Sequence, residues 1–235
     1  AGPLAAALFL IIGVGLFVVQ RRTEPPVSQH TGSEKDRSSS MLRQPVVRTL
    51  ALFMLAQGVI VGVIDVASVA FATAQGQPGM ASVVLSFYAL GSCAMGLLFG
   101  TLRLQMPLSR QIVWVGASVA ISALPLLLAS NLTALTLAVL LAGITFGPTI
   151  TVAMSLVEQQ VHTNRLTEGM TWLLTGLASG VALGAAAAGW LIDHWGAQQS
   201  FVLTLLAGGA MWLWGVQAGR QADRASAPGM TAINM

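Results

Sequence analysis

Apolar residues dominate this chain in long unbroken runs, and the charges lie almost entirely between those runs. A helix needs about 20 apolar residues to cross a hydrocarbon core roughly 30 Å thick, and a charge at its centre costs at least ~2.5 kcal/mol. Charge-free gaps therefore mark membrane crossings. The first covers 4–19, and the polar stretch from Gln20 to Gln44, with Pro25, Pro26, Lys35 and three serines at 38–40, reads as a linker. Between Arg48 and Arg103 only Asp65 is charged, and the run is interrupted by Gln75, Gly76, Gln77, Pro78 and Gly79, which predicts two helices joined by a tight turn. The charge-free stretch from Gln111 to Val157 is too long for one helix and fits two that turn at Ser130 and Asn131. A sixth crossing covers Met170 to Ile192 and a seventh Phe201 to Val216, after which Gly219 to Met235 is polar and reads as disordered. The pattern predicts an all-α membrane protein with seven transmembrane helices: one helix at 1–20, a linker at 21–45, a six-helix bundle at 46–217 and a polar tail at 218–235.

Composition agrees, since only 8% of the 235 residues are charged and 55% are hydrophobic, whereas soluble domains carry about a quarter charged residues. The charges also orient the chain. Successive loops must alternate between the two sides of a bilayer, and Lys and Arg concentrate on the cytoplasmic one. Arg21, Arg22, Lys35, Arg37, Arg43 and Arg48 fall in the first loop, Arg103 and Arg110 in the third, Arg165 in the fifth, and Arg220 and Arg224 in the tail, which is all eleven basic residues on one side. The basic loops and the C-terminus are thus expected in the cytoplasm, with the chain a multi-pass protein of the plasma membrane. Short basic clusters beside apolar runs, with no basic helix, argue against nucleic acid as a partner. The N-terminal run has its arginines after it and none before it, unlike a signal peptide. With an apolar run already under way at Ala1, the sequence is expected to lack the N-terminal part of a longer protein.

Inside the predicted spans, Asp65 is the one ionisable residue well away from an end. At 100° per residue Gln57, Val61, Asp65 and Ser68 share roughly 80° of arc, a polar stripe expected to face protein or water and not lipid. A carboxyl there suits a proton carrier or a binder of cationic or hydroxylated substrates; the bland alternative is a bond to a neighbouring helix or a cap on a local break. Thr145 and Thr149 lie one turn apart beside Gly147 and Pro148, where they either face a cavity or bond their own backbone. Gly176, Gly180 and Gly184 recur every four residues along the sixth span and Gly96 and Gly100 along the third, spacing that suits close helix packing. Glu158, Arg165 and Glu168 mark the cytoplasmic mouth of the fifth and sixth spans, as a solvated face by default and a gating ion pair as the sharper alternative.

Enzyme chemistry finds no foothold. The single lysine, Lys35, lies outside any phosphate-binding loop, the three histidines sit in loops on different sides, and one intramembrane Asp makes no dyad. No cofactor or metal is expected, and the lone Cys93 reads as a small core residue. The stretch from Gly62 to Gly100 and that from Leu166 to Phe201, with Gly189, Asp193, Gly196 and Phe201 at its turn, resemble the seventh and eighth helices, and the eleventh helix with its outer turn, of the major facilitator superfamily, in particular small-molecule and drug efflux permeases of the actinobacterial type. The resemblance covers nearly the whole chain. It implies a twelve-helix fold in which 1–20 is the sixth helix, 21–45 the central loop and the rest the C-terminal half. It further implies secondary transport of a small molecule, as proton-coupled export by an antiporter that alternates access, with the missing N-terminal half as a partner. The loop from Gly100 to Arg110 departs from the family's Gly-rich gating motif, so the resemblance assigns Arg103 and Arg110 no gating role. The alternative is a multi-pass sensor or assembly scaffold that transports nothing.

Overall fold

The computed structural model describes residues 41–101 and 106–226; the predicted crossing at 4–19, most of the linker, Arg103 and the last residues of the tail lie outside them. The described elements are α1 (Pro45–Ala74), α2 (Met80–Thr101), α3 (Leu108–Ser122), α4 (Leu124–Leu128), α5 (Leu132–Gln160), α6 (Leu166–Trp195), α7 (Ala197–Ser200) and α8 (Val202–Ser226), with no strand among the described residues. Six segments are long and apolar enough to cross a membrane: α1, α2, α3 with α4, α5, α6 with the 3-10 turn before it, and α7 with α8. The breaks between them have local causes. Gly76 takes φ 72° in the turn after α1 and Gly196 takes φ 92° between α6 and α7, backbone that favours glycine. The Asn131 side chain accepts a hydrogen bond from the Ala134 N–H at 2.8 Å and so caps α5. Pro125, which lacks an N–H and crowds the preceding turn, separates α4 from α3 at Ala123, a break the charge pattern did not signal.

Two helices outrun their apolar stretches. α6 extends at both ends past Met170 and Ile192 to take in Glu168 and Asp193. α8 continues through Arg220, Asp223 and Arg224 to Ser226. The expectation of disorder from Gly219 is therefore corrected over 219–226. Charge marks where apolar solvent ends, but a helix carries its own backbone hydrogen bonds and passes that boundary without loss.

Packing follows from the glycines. α1 is the most buried helix, with Phe53, Leu50, Met54, Ile64 and Val63 closed to solvent. The Phe53 ring lies over Gly116 of α3 and Gly215 of α8. Three helix pairs approach so closely that a methyl group would strike the neighbouring backbone. In the first, Gly58 and Gly62 of α1 meet Leu177, Val181 and Ala185 of α6, while Gly176, Gly180 and Gly184 meet Ala51, Leu55 and Val59. In the second, Gly91 of α2 faces Leu140 and Ile144 of α5, Gly143 faces Tyr88, and Gly147 faces Ser92 and Gly96. In the third, Gly219, Gly215 and Gly208 of α8 meet Ser109, Ile112 and Ala120 of α3.

The order of these contacts fixes helix directions. Numbers rise together in α1 with α6 and in α2 with α5, so those pairs are parallel; they run oppositely in α3 with α8, which is antiparallel. Strict alternation of six crossings requires that combination. With Thr49 of α1 bonding Gln221 of α8 at 3.2 Å, it gathers Arg48, Arg110, Arg165, Arg220 and Arg224 at one end of the bundle, called the basic end below. Among the described residues a methyl group on Gly100 would meet nothing within 4 Å, so the seam of α2 with α5 stops at Gly96.

Candidate functional site

Asp65 stands nine residues before the end of α1 at Ala74, roughly 13 Å of helix, which places it near the middle of the span. The predicted stripe is divided. Gln57 is 1% and Ser68 0% exposed, whereas Asp65 itself is open to solvent. The cause is the seam with α6: Gly58, on nearly the same side of α1 as Asp65, lies hard against α6, and one flank farther on opens at Asp65, Val69 and Thr73. Among the described residues no hydrogen bond or ion pair holds the Asp65 carboxylate.

On α2, Tyr88 stands eight residues past the start at Met80 and so at matching depth. The Tyr88 ring lies 5.8 Å from that of Phe146 on α5, tilted by 55°. Its hydroxyl is buried without a hydrogen-bond partner, as are Gln57 Oε1 and Ser68 Oγ. Unpaired buried polar atoms are rare, because each forfeits its bonds to water. Two of the three lie on the helix that carries Asp65 and the third on α2 at the depth of Asp65, which makes this the chemically poised part of the bundle. Thr145 Oγ1 donates to the Ala142 carbonyl at 2.8 Å and Thr149 Oγ1 to the Thr145 carbonyl at 2.6 Å, so both are engaged with their own helix, which continues through Pro148.

At the basic end Arg165 and Glu168 form an ion pair at 2.9 Å, and Glu168 also accepts the Met41 N–H at 2.9 Å. That carboxylate ties the 3-10 turn at Met41–Arg43, where the expected linker ends, to the start of α6. Both partners are partly exposed, where such a pair contributes little. Glu158 stands at the same end but apart from that pair: with Asp223, Gln111 and Ser155 it lines a cleft of about 610 Å³ between α3, α5 and α8. That cleft is remote in sequence and depth from Asp65. Among the described residues no three His, Cys, Asp or Glu side chains converge as a metal site. Cys93 is exposed on α2, which corrects its expected core placement.

The sequence reading missed Tyr88 and the α1 half of the seam. Signals existed for both, since Tyr88 is the chain's one tyrosine and Gly58 and Gly62 repeat the four-residue spacing on the helix that carries Asp65. A family model described as Major Facilitator Superfamily matches residues 51–229. Comparison with curated proteins and with solved structures gives no match.

Proposed function

As this chain belongs to the Major Facilitator Superfamily, and so is a multi-pass membrane transporter, we propose that it is a secondary transporter that exports a small molecule in exchange for protons across the plasma membrane. In this reading the basic end faces the cytoplasm, and the bundle rocks against a second helical bundle that includes the predicted crossing at 4–19. Asp65 carries the reading. A carboxylate near the middle of a span, exposed from its own bundle and without a basic partner among the described residues, is too costly to face lipid. It therefore faces a water-filled path, where a proton or a cationic group of the cargo neutralises it.

The surfaces beside it favour the same arrangement. α6 exposes Thr171, Thr175, Ala178, Ala182 and Ala186 opposite its glycine face, and α2 exposes Ser82, Ser86, Ala89 and Cys93 along one side. α3, α4 and α8 expose Trp114, Ile121, Leu128, Leu206 and Leu213, while α2 and α6 also expose Leu90, Leu97, Leu174 and Leu183. Small and hydroxyl-bearing faces suit helix partners, and large apolar faces suit lipid.

The test is counterflow in proteoliposomes of the full-length protein, screened over small molecules against empty liposomes. With a cargo in hand, Asp65→Asn is expected to abolish pH-driven transport or uncouple it from protons. Unchanged pH-driven transport in that variant overturns the role of Asp65, and no flux above empty liposomes for any cargo favours the scaffold alternative.

A further inference from the structure

The Glu168 carboxylate divides its two oxygens between separate tasks. Oε2 takes both Arg165 contacts, from Nη2 at 2.9 Å and Nε at 3.3 Å, while Oε1 accepts the backbone N–H of Met41 at 2.9 Å, 127 residues away in sequence. Arg165 stands three residues before Glu168 and holds the carboxylate from beside it. The Met41 bond reaches across to the chain that leads into α1.

That lead-in is fixed by two unlike parts. The 3-10 turn at Met41–Arg43 runs into α1 at Pro45, and the Met41 side chain is 1% exposed within the bundle core. A methionine has three rotatable bonds and fits many settings, whereas a hydrogen bond is directional, so the carboxylate and not the buried side chain sets the course of the entering chain. The carboxylate lies at the rim, with the Arg165 and Glu168 side chains 26% and 39% exposed. Water there replaces the bonds at little net cost. The seam of α1 with α6 starts farther along, where Gly176 meets Ala51, eight residues past Glu168, and does not depend on it.

We propose that Glu168 is a releasable latch, with Arg165 as its positioning residue. Closed, as seen here, it holds the chain ahead of α1 against the start of α6. Open, it lets that chain swing about the buried Met41 side chain while the α1–α6 seam stays shut. A shift of the chain ahead of Met41 then reaches α6 directly when the latch is closed, and α1 alone when it is open. The latch follows from the described bundle and stands whether or not Asp65 carries protons, and its test needs no cargo.

Backbone hydrogen exchange of the full-length protein in lipid nanodiscs, read by mass spectrometry of overlapping fragments, tests it. In the unaltered protein the Met41 amide is expected to exchange measurably, and faster than Gly169–Thr175 of α6. Glu168→Ala removes both acceptor oxygens and is expected to speed exchange at Met41 about tenfold, the scale of one lost hydrogen bond to a charged group, with Gly169–Thr175 within about twofold. Glu168→Gln keeps one acceptor oxygen and is expected to give a smaller rise. Arg165→Met should also raise the rate, and Arg165→Lys, which keeps the charge, should restore it. Unchanged exchange at Met41 in Glu168→Ala overturns the proposal, and so does an equal rise in Gly169–Thr175, which would mean that α6 itself had loosened. Full protection of Met41 in the unaltered protein would make Glu168 a fixed staple and overturns the latch. Equal rises in Arg165→Met and Arg165→Lys would remove Arg165 from the positioning role.

Discussion

The α1–α6 and α2–α5 seams are both parallel and both lined by glycine, yet they are built differently. In the first, glycines stand on both helices, and a methyl group on any of Gly58, Gly62, Gly176, Gly180 or Gly184 would strike a backbone carbonyl opposite. In the second, the tight positions are mostly on α5 and around Tyr88, and contact fades along α2: Gly96 meets only the Gly147 Cα, at 3.8 Å, and Gly100 meets nothing within 4 Å. Between helices in a bilayer no hydrophobic effect distinguishes neighbour from lipid, so close contact and Cα–H···O bonds carry the association. A seam closed from both sides makes one unit of α1 and α6. A seam that opens toward the basic end leaves α2 attached to α5 by part of its length. Asp65 belongs to the closed pair and Tyr88 to the other.

The strongest way to break that contrast is at its closed side. Gly180→Leu would drive a side chain into the Leu55 carbonyl and the Gly58 Cα, with backbone on every side and nothing to rotate away. The expected outcome is loss of folded protein, read as failure to elute as a single species in size-exclusion chromatography after detergent extraction. A well-folded Gly180→Leu would mean that the two helices can separate. Phe53→Ala should come next, at about 3 to 5 kcal/mol, because the fully buried ring fills the space that Gly116 and Gly215 leave between α3 and α8. A drop in the thermal unfolding midpoint of the purified protein checks it.

Most of this architecture is legible in the chain because lipid imposes a single strict rule: charges sit between crossings, and among the described residues Arg48, Arg110, Arg165, Arg220 and Arg224 gather at one end of the bundle. The six crossings and the turns at Gly76 and Asn131 follow from that rule. Helix ends do not, as α8 runs through Arg220 and Arg224, since the rule concerns solvent and not backbone bonding. The site was half legible. Asp65 is conspicuous as a charge in an apolar run, while Tyr88, though the chain's one tyrosine, acquires meaning only when α2 folds back to the same depth. Gln57 and Ser68 lie on the predicted arc, but which part of that arc opens depends on where α6 crosses α1, and no periodicity encodes a crossing point.

The most delicate test of the contrast lies within the second seam, where one close approach is asymmetric. A methyl group on Gly147 would come 2.8 Å from the Gly96 Cα and from the Ser92 carbonyl oxygen, both backbone atoms that cannot rotate aside. A methyl group on Gly96 would project past its neighbour, and one on Gly100 into open space. In a helix interior alanine is favoured over glycine by roughly 0.5 to 1 kcal/mol, while overpacking a tight contact costs typically about 1 to 3 kcal/mol. Gly147→Ala is therefore expected to lower the thermal midpoint, Gly96→Ala to leave it nearly unchanged, and Gly100→Ala to raise it slightly. The ordering matters more than any single value. If Gly100→Ala proved as damaging as Gly147→Ala, the basic end of α2 would have to be closed against another helix, and the freedom assigned to it would belong elsewhere in the bundle.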